Sequence, residues 1–138
     1  MFKYLRNING TSAPVVNSYY SMGGDDSSNA IKAGSIFSLN NGLITSFTSI
    51  DKPFYLAYTS CDMDKSGHVT AIALDPGAVL EADIDPECII DEYCVGNVCG
   101  LGVDDTGKGV CVSINEDSAF EIIDASNVKS NKVTVRVI

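Results

Sequence analysis

The sequence predicts an all-β protein, a small antiparallel β-barrel or sandwich with an extended N-terminal arm. Two observations lead to this fold class. From about Gly34 onward, short runs of β-branched and aromatic residues alternate with turn signals, and no stretch has the sustained period of an amphipathic helix. The length of 138 residues, with 45% hydrophobic and 20% charged residues, suits a globular chain with one core. We therefore expect an arm over residues 1–32 and a β body over residues 33–138.

The predicted strands follow one another closely along the body. SIFSL and LITSF flank Asn41-Gly42, a dipeptide that is a strong hairpin signal, and the aromatic run FYLAY comes next. HVTAIAL alternates between two faces, and a DPG turn at Asp75–Gly77 leads into AVLEADI. VCGLGV, GVCVSI, FEII and KVTVRVI complete the set, and DPECIIDEYCVGN has room for one helical turn. About nine strands with close turns favour a barrel or a sandwich.

The N-terminal region has a different character. Residues 1–32 contain clusters of Gly, Ser, Asn and Asp and show no sustained hydrophobic period. Such a segment is typical of an arm that becomes ordered only against a partner, so we expect it to be mobile in the free protein. The side chains that we expect to anchor the arm on that partner are Phe2, Tyr4, Leu5, Tyr19 and Tyr20.

The net charge of −9, from 18 acidic and 9 basic residues, bears on the classes of partner. Nucleic-acid binding needs a basic surface, and an anionic membrane repels an acidic chain, so we expect neither partner. The apolar runs are much shorter than the roughly 20 residues of a membrane-spanning helix, and MFKYLRNING lacks the apolar core of a signal peptide. We therefore expect a protein that is made in a cytoplasm and kept or assembled there.

Two stretches imitate ligand-binding motifs. CDMDKSGH begins like an EF-hand calcium loop at Asp62, but the twelfth position, which needs a bidentate carboxylate, is Ala73, and strand-like segments flank the loop. GVDDTGKG has the spacing of a P-loop up to Lys108, but Gly109 stands where magnesium binding needs Ser or Thr, and no helix follows. We interpret both stretches as turns and expect no metal ion and no cofactor.

Candidate catalytic groups are equally sparse. The cysteines are Cys61, Cys88, Cys94, Cys99 and Cys111, and they lack the tight pairs of a zinc site. The single histidine, His68, has no nearby cysteine pattern that supports a nucleophilic pair, so we interpret the cysteines as reduced, buried residues. The alternating carboxylates of EADIDPE are compatible with a glycosidase pair or an oxygen-rich metal site, but a half-buried strand explains them better. We therefore expect no catalytic residues and no enzyme.

A polar arm leads into AGSIFSLNNGLI, and PFYLAY, VTAIALDPGAVLEADI, VGNVCGLGVDDTGKGVCVSI, FEIIDAS and VTVRVI follow in that order. From about Ala33 to Ile138 this succession of glycine-punctuated strands resembles the small decoration, or auxiliary capsid, proteins of tailed bacteriophages, in particular those with a β-tulip body. The resemblance implies a structural virion protein that binds the outer surface of the major capsid protein and stabilises the capsid. It also makes a homo-oligomer an expected assembly.

A different class of function stays open. Tyr55, Tyr58 and Tyr93 are aromatic residues that would provide contacts in a small-molecule or glycan-binding β module. Tyrosines at alternate strand positions more often pack in the core and at its rim, so this reading is the alternative to capsid decoration.

Overall fold

The computed structural model describes residues 1–8, 16–21, 31–40, 43–45, 54–61, 67–105, 107–114 and 118–138. These residues form eleven strands and contain no α-helix, which confirms the all-β prediction. The strands are β1 (Phe2–Asn7), β2 (Val16–Ser21), β3 (Ile36–Asn40), β4 (Leu43–Thr45), β5 (Phe54–Ala57), β6 (Gly67–Leu74), β7 (Ala78–Asp83), β8 (Val98–Val103), β9 (Gly109–Ser113), β10 (Phe120–Asp124) and β11 (Lys132–Val137). Short 3₁₀ turns occupy Glu92–Cys94 and Val128–Ser130.

The chain divides into two compact units. Unit 1 comprises Met1–Ala13, Asp75–Gly102 and Val110–Ile138, and unit 2 comprises Pro14–Leu74 and Val103–Gly109. The chain therefore begins in unit 1, builds most of unit 2, and returns to unit 1 at the DPG turn. Gly77 has a φ of 92° in that turn, a conformation that glycine adopts without strain.

Unit 1 is a curled sheet in the strand order β1-β7-β11-β10-β8-β9. The pairings of β1 with β7, β7 with β11, β11 with β10, and β10 with β8 are antiparallel. A parallel bridge between Ile84 and Val112 brings β9 back to the end of β7, and the Asp85 N–H donates to the Val112 carbonyl at 2.9 Å. The sheet of unit 1 is therefore curled.

The core of unit 1 follows from the alternation of its strands. In β11, Val133, Val135 and Val137 are buried, whereas the lysine, threonine and arginine between them are half-buried. This period of two places the valines on the inner face. On β10, Phe120 and Ile122 are buried in the same manner.

Unit 2 is a small closed barrel. Its strands pair in the ring β3-β4-β2-β6-β5, and β5 pairs with β3 to close it. The pairing of β2 with β4 is parallel, and the other pairings of the ring are antiparallel. The buried cluster that belongs to this unit consists of Ile31, Phe37, Ile44, Ala57, Val69 and Ala71. The prediction of a small, mainly antiparallel barrel thus holds for this unit.

The boundaries differ from the expected arm over residues 1–32 and single body over residues 33–138. β1 pairs with β7 from Phe2 opposite Ala82 to Asn7 opposite Ala78, so the start of the chain is an integral strand of unit 1. β2 pairs along its whole length with β6 inside unit 2. The physical reason is that main-chain hydrogen bonds to distant strands, which no local period signals, offset the entropy of ordering these residues.

Candidate functional site

The structure places the five predicted arm anchors in two different units. Phe2 is only 4% exposed and packs on Phe120, with ring centroids 5.7 Å apart. Tyr4 is half-buried in the same strand, and Leu5 is 43% exposed at the bulge of β1. Tyr19 and Tyr20 lie in β2, opposite Val69 and His68, and their side chains lie outside the described part of the structure. Phe2, Tyr4 and Leu5 thus belong to unit 1, and Tyr19 and Tyr20 belong to unit 2.

Of the two motif-like stretches, the structure describes only the P-loop-like stretch in most of its residues. Residues 62–66 of the calcium-like stretch lie outside the described residues. In the P-loop-like stretch, the Asp104 backbone N–H donates to the Lys108 carbonyl at 3.0 Å across a tight turn, and the Lys108 backbone N–H donates to the Asp104 carboxylate at 3.2 Å. The Lys108 side chain is completely buried, so it does not point at a phosphate in solution.

Two of the carboxylates of EADIDPE, Asp83 and Asp85, have structural contacts. Asp83 accepts hydrogen bonds from the Lys132 ammonium and from the Met1 α-ammonium. Partial burial acts to raise the pKa of Asp83, but these two cations outweigh it and hold the pKa below its ordinary value. Asp85 accepts from the Glu87 N–H at 3.0 Å within a turn. Among the described residues, no group of three or more His, Cys, Asp or Glu side chains is arranged to hold a metal ion.

The cysteines all lie among the described residues, and each is a thiol. Burial, and then the electrostatic influence of the neighbouring Cys88, raise the pKa of Cys99 to about 12. Burial and then the carboxylate of Asp85 raise the pKa of Cys111 to about 11. Since the thiolate is the nucleophile, Cys99 and Cys111 are unreactive at neutral pH.

The feature of unit 1 that packing does not account for is a run of exposed apolar side chains. Ile89 is 83% exposed and Tyr93 is 84% exposed, and Val95 and Val98 are about half exposed. We call these four residues the 89–98 segment. Scattered apolar residues on a surface are normal, but a concentration of large ones along ten residues of chain is typical of an interaction site.

A groove of about 700 Å³ lies beside the 89–98 segment. Asp91–Val95 forms one wall, and the turn from Asp124 to Lys129 forms the other. The first wall is held to β10 because the Gly96 N–H donates to the Ile122 carbonyl at 2.8 Å. Gly96 has a φ of 91°, which a side chain would strain although there is space for a Cβ.

Hydrogen bonds hold the carboxylates of the groove in place. Asp91 caps the first 3₁₀ turn by accepting from the Tyr93 N–H at 2.9 Å, and it also accepts from the Cys94 thiol at 3.5 Å. On the opposite wall, Asp124 accepts from the Ser126 N–H at 2.8 Å. This backbone hydrogen bond, and next one from the Ser126 side chain, lower the pKa of Asp124, so its carboxylate is ionised at neutral pH.

The groove has an excess of negative charge. Glu92 adds a third carboxylate to Asp91 and Asp124, and Lys129 adds one ammonium. Tyr93, which is 84% exposed, is also a lining residue. The arrangement therefore offers an exposed ring beside oriented carboxylates, which suits a cationic or a polar ligand.

The three tyrosines that a glycan-binding module would use differ in burial and belong to different units. Tyr55 is half-buried and stacks on Phe37, with ring centroids 5.6 Å apart, so it belongs to the core of unit 2. Tyr58 is half exposed in unit 2, and Tyr93 is the aromatic residue in the groove of unit 1.

The sequence indicated Tyr93 as a possible contact residue but did not indicate the groove. The stretch DPECIIDEYCVGN indicated one helical turn, and a 3₁₀ turn occurs at Glu92–Cys94. The second wall comes from the turn after β10, about thirty residues later, and DAS has no sequence signal that pairs it with Tyr93. The stretch from Ile89 to Val98 contains large apolar residues that do not follow a period of two. Such residues cannot all face one core, so this pattern could have indicated an exposed apolar surface.

Comparisons with protein families, with curated proteins and with solved structures found no match to this chain. Within the described residues, no helix has the length and apolar character that crossing a bilayer requires.

Proposed function

We propose that the protein is a structural virion component that decorates a tailed-phage capsid. In this proposal it binds the outer surface of major capsid protein subunits and stabilises the shell, without enzymatic activity. It is made in the host cytoplasm and self-associates when it assembles on the particle. The observation that carries the proposal is the exposed 89–98 segment of unit 1.

Burial of the 89–98 segment against a partner would contribute favourable free energy to binding. Covering an exposed Ile or Val side chain contributes roughly 1.5–3 kcal/mol, and aromatic residues are frequent at the centres of protein interfaces. Ile89 and Tyr93 gain most from a partner because they are the most exposed large apolar side chains among the described residues. A protein partner with an apolar surface is therefore the simplest occupant.

The charge of the chain supports a position on the outside of the shell. At a net charge of −9, the protein would be repelled by packaged DNA on the inner side. The outer face of a capsid imposes no such repulsion.

The alternative is a small-molecule or glycan-binding β module, and the exposure of Tyr93 within a groove is the observation in its favour. A flat ring beside carboxylates can stack on a sugar and accept hydrogen bonds from its hydroxyl groups. Capsid decoration is the preferred proposal because Ile89 and Val98 add apolar surface that a sugar does not need. A glycan array with the purified protein tests the alternative.

The capsid proposal is tested with particles made from the genome that encodes this chain. After density-gradient purification, we expect mass spectrometry to find the protein in the particle band at a constant ratio to the major capsid protein. Recovery only in the particle-free fraction would contradict the proposal.

A matched pair of variants assigns binding to the 89–98 segment. We expect the double variant Ile89→Ser with Tyr93→Ser to be lost from particles, because both side chains are exposed and their replacement does not disturb the core. The control is Ile114→Ser with Tyr58→Ser, which changes an isoleucine that is 44% exposed and a tyrosine that is 50% exposed, both outside the segment. Loss of both variants to the same degree would mean that the segment has no special role.

A further inference from the structure

We propose that the groove between the Asp91–Val95 wall and the Asp124–Lys129 turn binds an arginine side chain presented by the partner protein. This inference rests on the proposed function, because it names the chemistry with which the capsid partner is recognised. The 89–98 segment provides apolar contact area, and the groove provides specificity.

The groove combines an aromatic residue with several carboxylates. A guanidinium group is planar, stacks on aromatic rings and donates several hydrogen bonds in one plane. Tyr93 is 84% exposed, and Asp91 and Asp124 are carboxylates that belong to the two stretches of chain that line the groove. An arginine that lies on the ring can donate to a carboxylate at the same time.

Two carboxylates of the groove are held in place before a ligand binds. Asp91 and Asp124 each accept a backbone N–H two residues later in the chain, at 2.9 Å and 2.8 Å. The two walls are joined to the same strand, because the Gly96 N–H donates to the Ile122 carbonyl and Asp124 ends β10. Carboxylates that are already oriented lose little entropy when a ligand arrives.

The charge of the groove is complementary to that of a cationic ligand. Three carboxylates and one ammonium line the groove, so an anionic group is repelled and a cationic group is attracted. Lys129 is the exception, and its ammonium reduces the attraction. A neutral sugar would leave the excess negative charge of the groove without a counterpart, and Tyr93 provides a ring on one wall only.

The test uses a peptide of glycine and serine with one central arginine, and the same peptide with citrulline, which is a neutral analogue of nearly the same shape. In an NMR titration of the ¹⁵N-labelled full chain, we expect the arginine peptide to shift the amide signals of Tyr93, Val95 and Ser126. We expect the citrulline peptide to shift none of them. Equal shifts with both peptides, or shifts located elsewhere on the chain, would overturn the proposal.

Variants of the ring separate stacking from general attraction. We expect Tyr93→Ala to weaken binding of the arginine peptide about fivefold, and Tyr93→Phe to change it less than about twofold, since either ring stacks on a guanidinium. Equal losses in both variants would contradict stacking.

Variants of charge provide a second matched pair. Glu92→Gln with Asp124→Asn should weaken binding, whereas Asp75→Asn with Glu87→Gln removes the same charge outside the groove and should weaken it much less. Lys129→Gln should strengthen binding. An equal effect of the two double variants would show that only the net charge of the chain matters.

The outcomes of this test and of the particle experiment are distinguishable. If particles carry the protein but the arginine peptide does not bind, the groove inference fails and capsid decoration stands. If the peptide binds but particles lack the protein, the groove binds a cation in another setting. Shifts of the same groove signals by a neutral oligosaccharide, without an effect of the arginine peptide, would overturn the inference in favour of a glycan site.

Discussion

Gly102 and Cys111 lie on the neighbouring strands β8 and β9, and the space between them leaves no room for a side chain at residue 102. A Cβ added there would lie 2.5 Å from the Cys111 Sγ, closer than non-bonded atoms approach. We therefore expect Gly102→Ala to lower the free energy of unfolding by about 1–3 kcal/mol, because overpacking displaces the thiol or the strand. Urea denaturation followed by circular dichroism measures this change.

The control for Gly102→Ala is the same substitution in a Cys111→Ala background. Removing the Sγ removes the contact, so the cost of Gly102→Ala should fall by at least half. An unchanged cost in that background would attribute the effect to the backbone of β8 and not to the thiol.

Burial of Cys99 in unit 1 makes the free energy of unfolding depend on pH in the alkaline range. Its thiol has a pKa of about 12 in the folded protein, compared with an ordinary value of 9.0, because it is buried. Between these two pH values the unfolded chain has lost the proton and the folded chain keeps it. Stability should therefore decrease as the pH rises above 9, with a slope from this group of at most about 1.4 kcal/mol per pH unit.

Cysteine variants separate this effect from the titration of Lys and Tyr side chains. The free energy of unfolding, measured from about pH 8.5 to about pH 10.5, should depend less on pH in Cys99→Ala than in the wild type. Cys94→Ala, which changes a less buried thiol, should keep the slope of the wild type. The same slope in all three proteins would mean that Cys99 ionises normally.

At the scale of elements, β1 decides whether the start of the chain is a strand or an arm. Phe2 is buried against Phe120, so we expect Phe2→Ala to cost about 3–5 kcal/mol of unfolding free energy. Leu5→Ala in the same strand removes a side chain that is 43% exposed and should cost less than about 1 kcal/mol. Thermal and urea unfolding of both variants test this difference.

The two variants together decide whether β1 contributes to the core of unit 1. If both variants are nearly neutral, β1 does not contribute to the core, and residues 1–7 behave as the mobile arm that the composition of residues 1–32 predicts. If only Phe2→Ala destabilises the protein, deletion of the N-terminal residues also removes a strand of unit 1.

The elements that could be predicted from the sequence are those with local signals. The alternation of HVTAIAL and AVLEADI, joined by DPG, corresponds to β6 and β7 with Gly77 in the turn. Asn40 pairs with Leu43 on either side of the predicted Asn41-Gly42 hairpin. β1 could not be assigned, because its partner β7 lies more than seventy residues away and pairing at that distance leaves no local pattern. The groove was missed for the same reason, since its two walls come from separate turns.

For the whole molecule, the main difference from the sequence-based expectation is the division into two units. Residues 33–138 have a uniform composition of short strands and turns, so nothing in them marks the changes of unit near Asp75, Gly102 and Gly109. The net charge of −9 is a property of the whole chain that the sequence does establish. A net negative charge attracts basic surfaces and repels acidic ones.

The central claim, that the 89–98 segment of unit 1 is the surface that binds the capsid partner, is tested most directly by a cryo-electron microscopy map of purified particles. We expect density for this protein on the outer surface of the shell, with Ile89 and Tyr93 covered by the major capsid protein and an arginine of that protein in the adjoining groove. A map without this density, or one in which the 89–98 segment faces solvent while another surface contacts the shell, would contradict the claim.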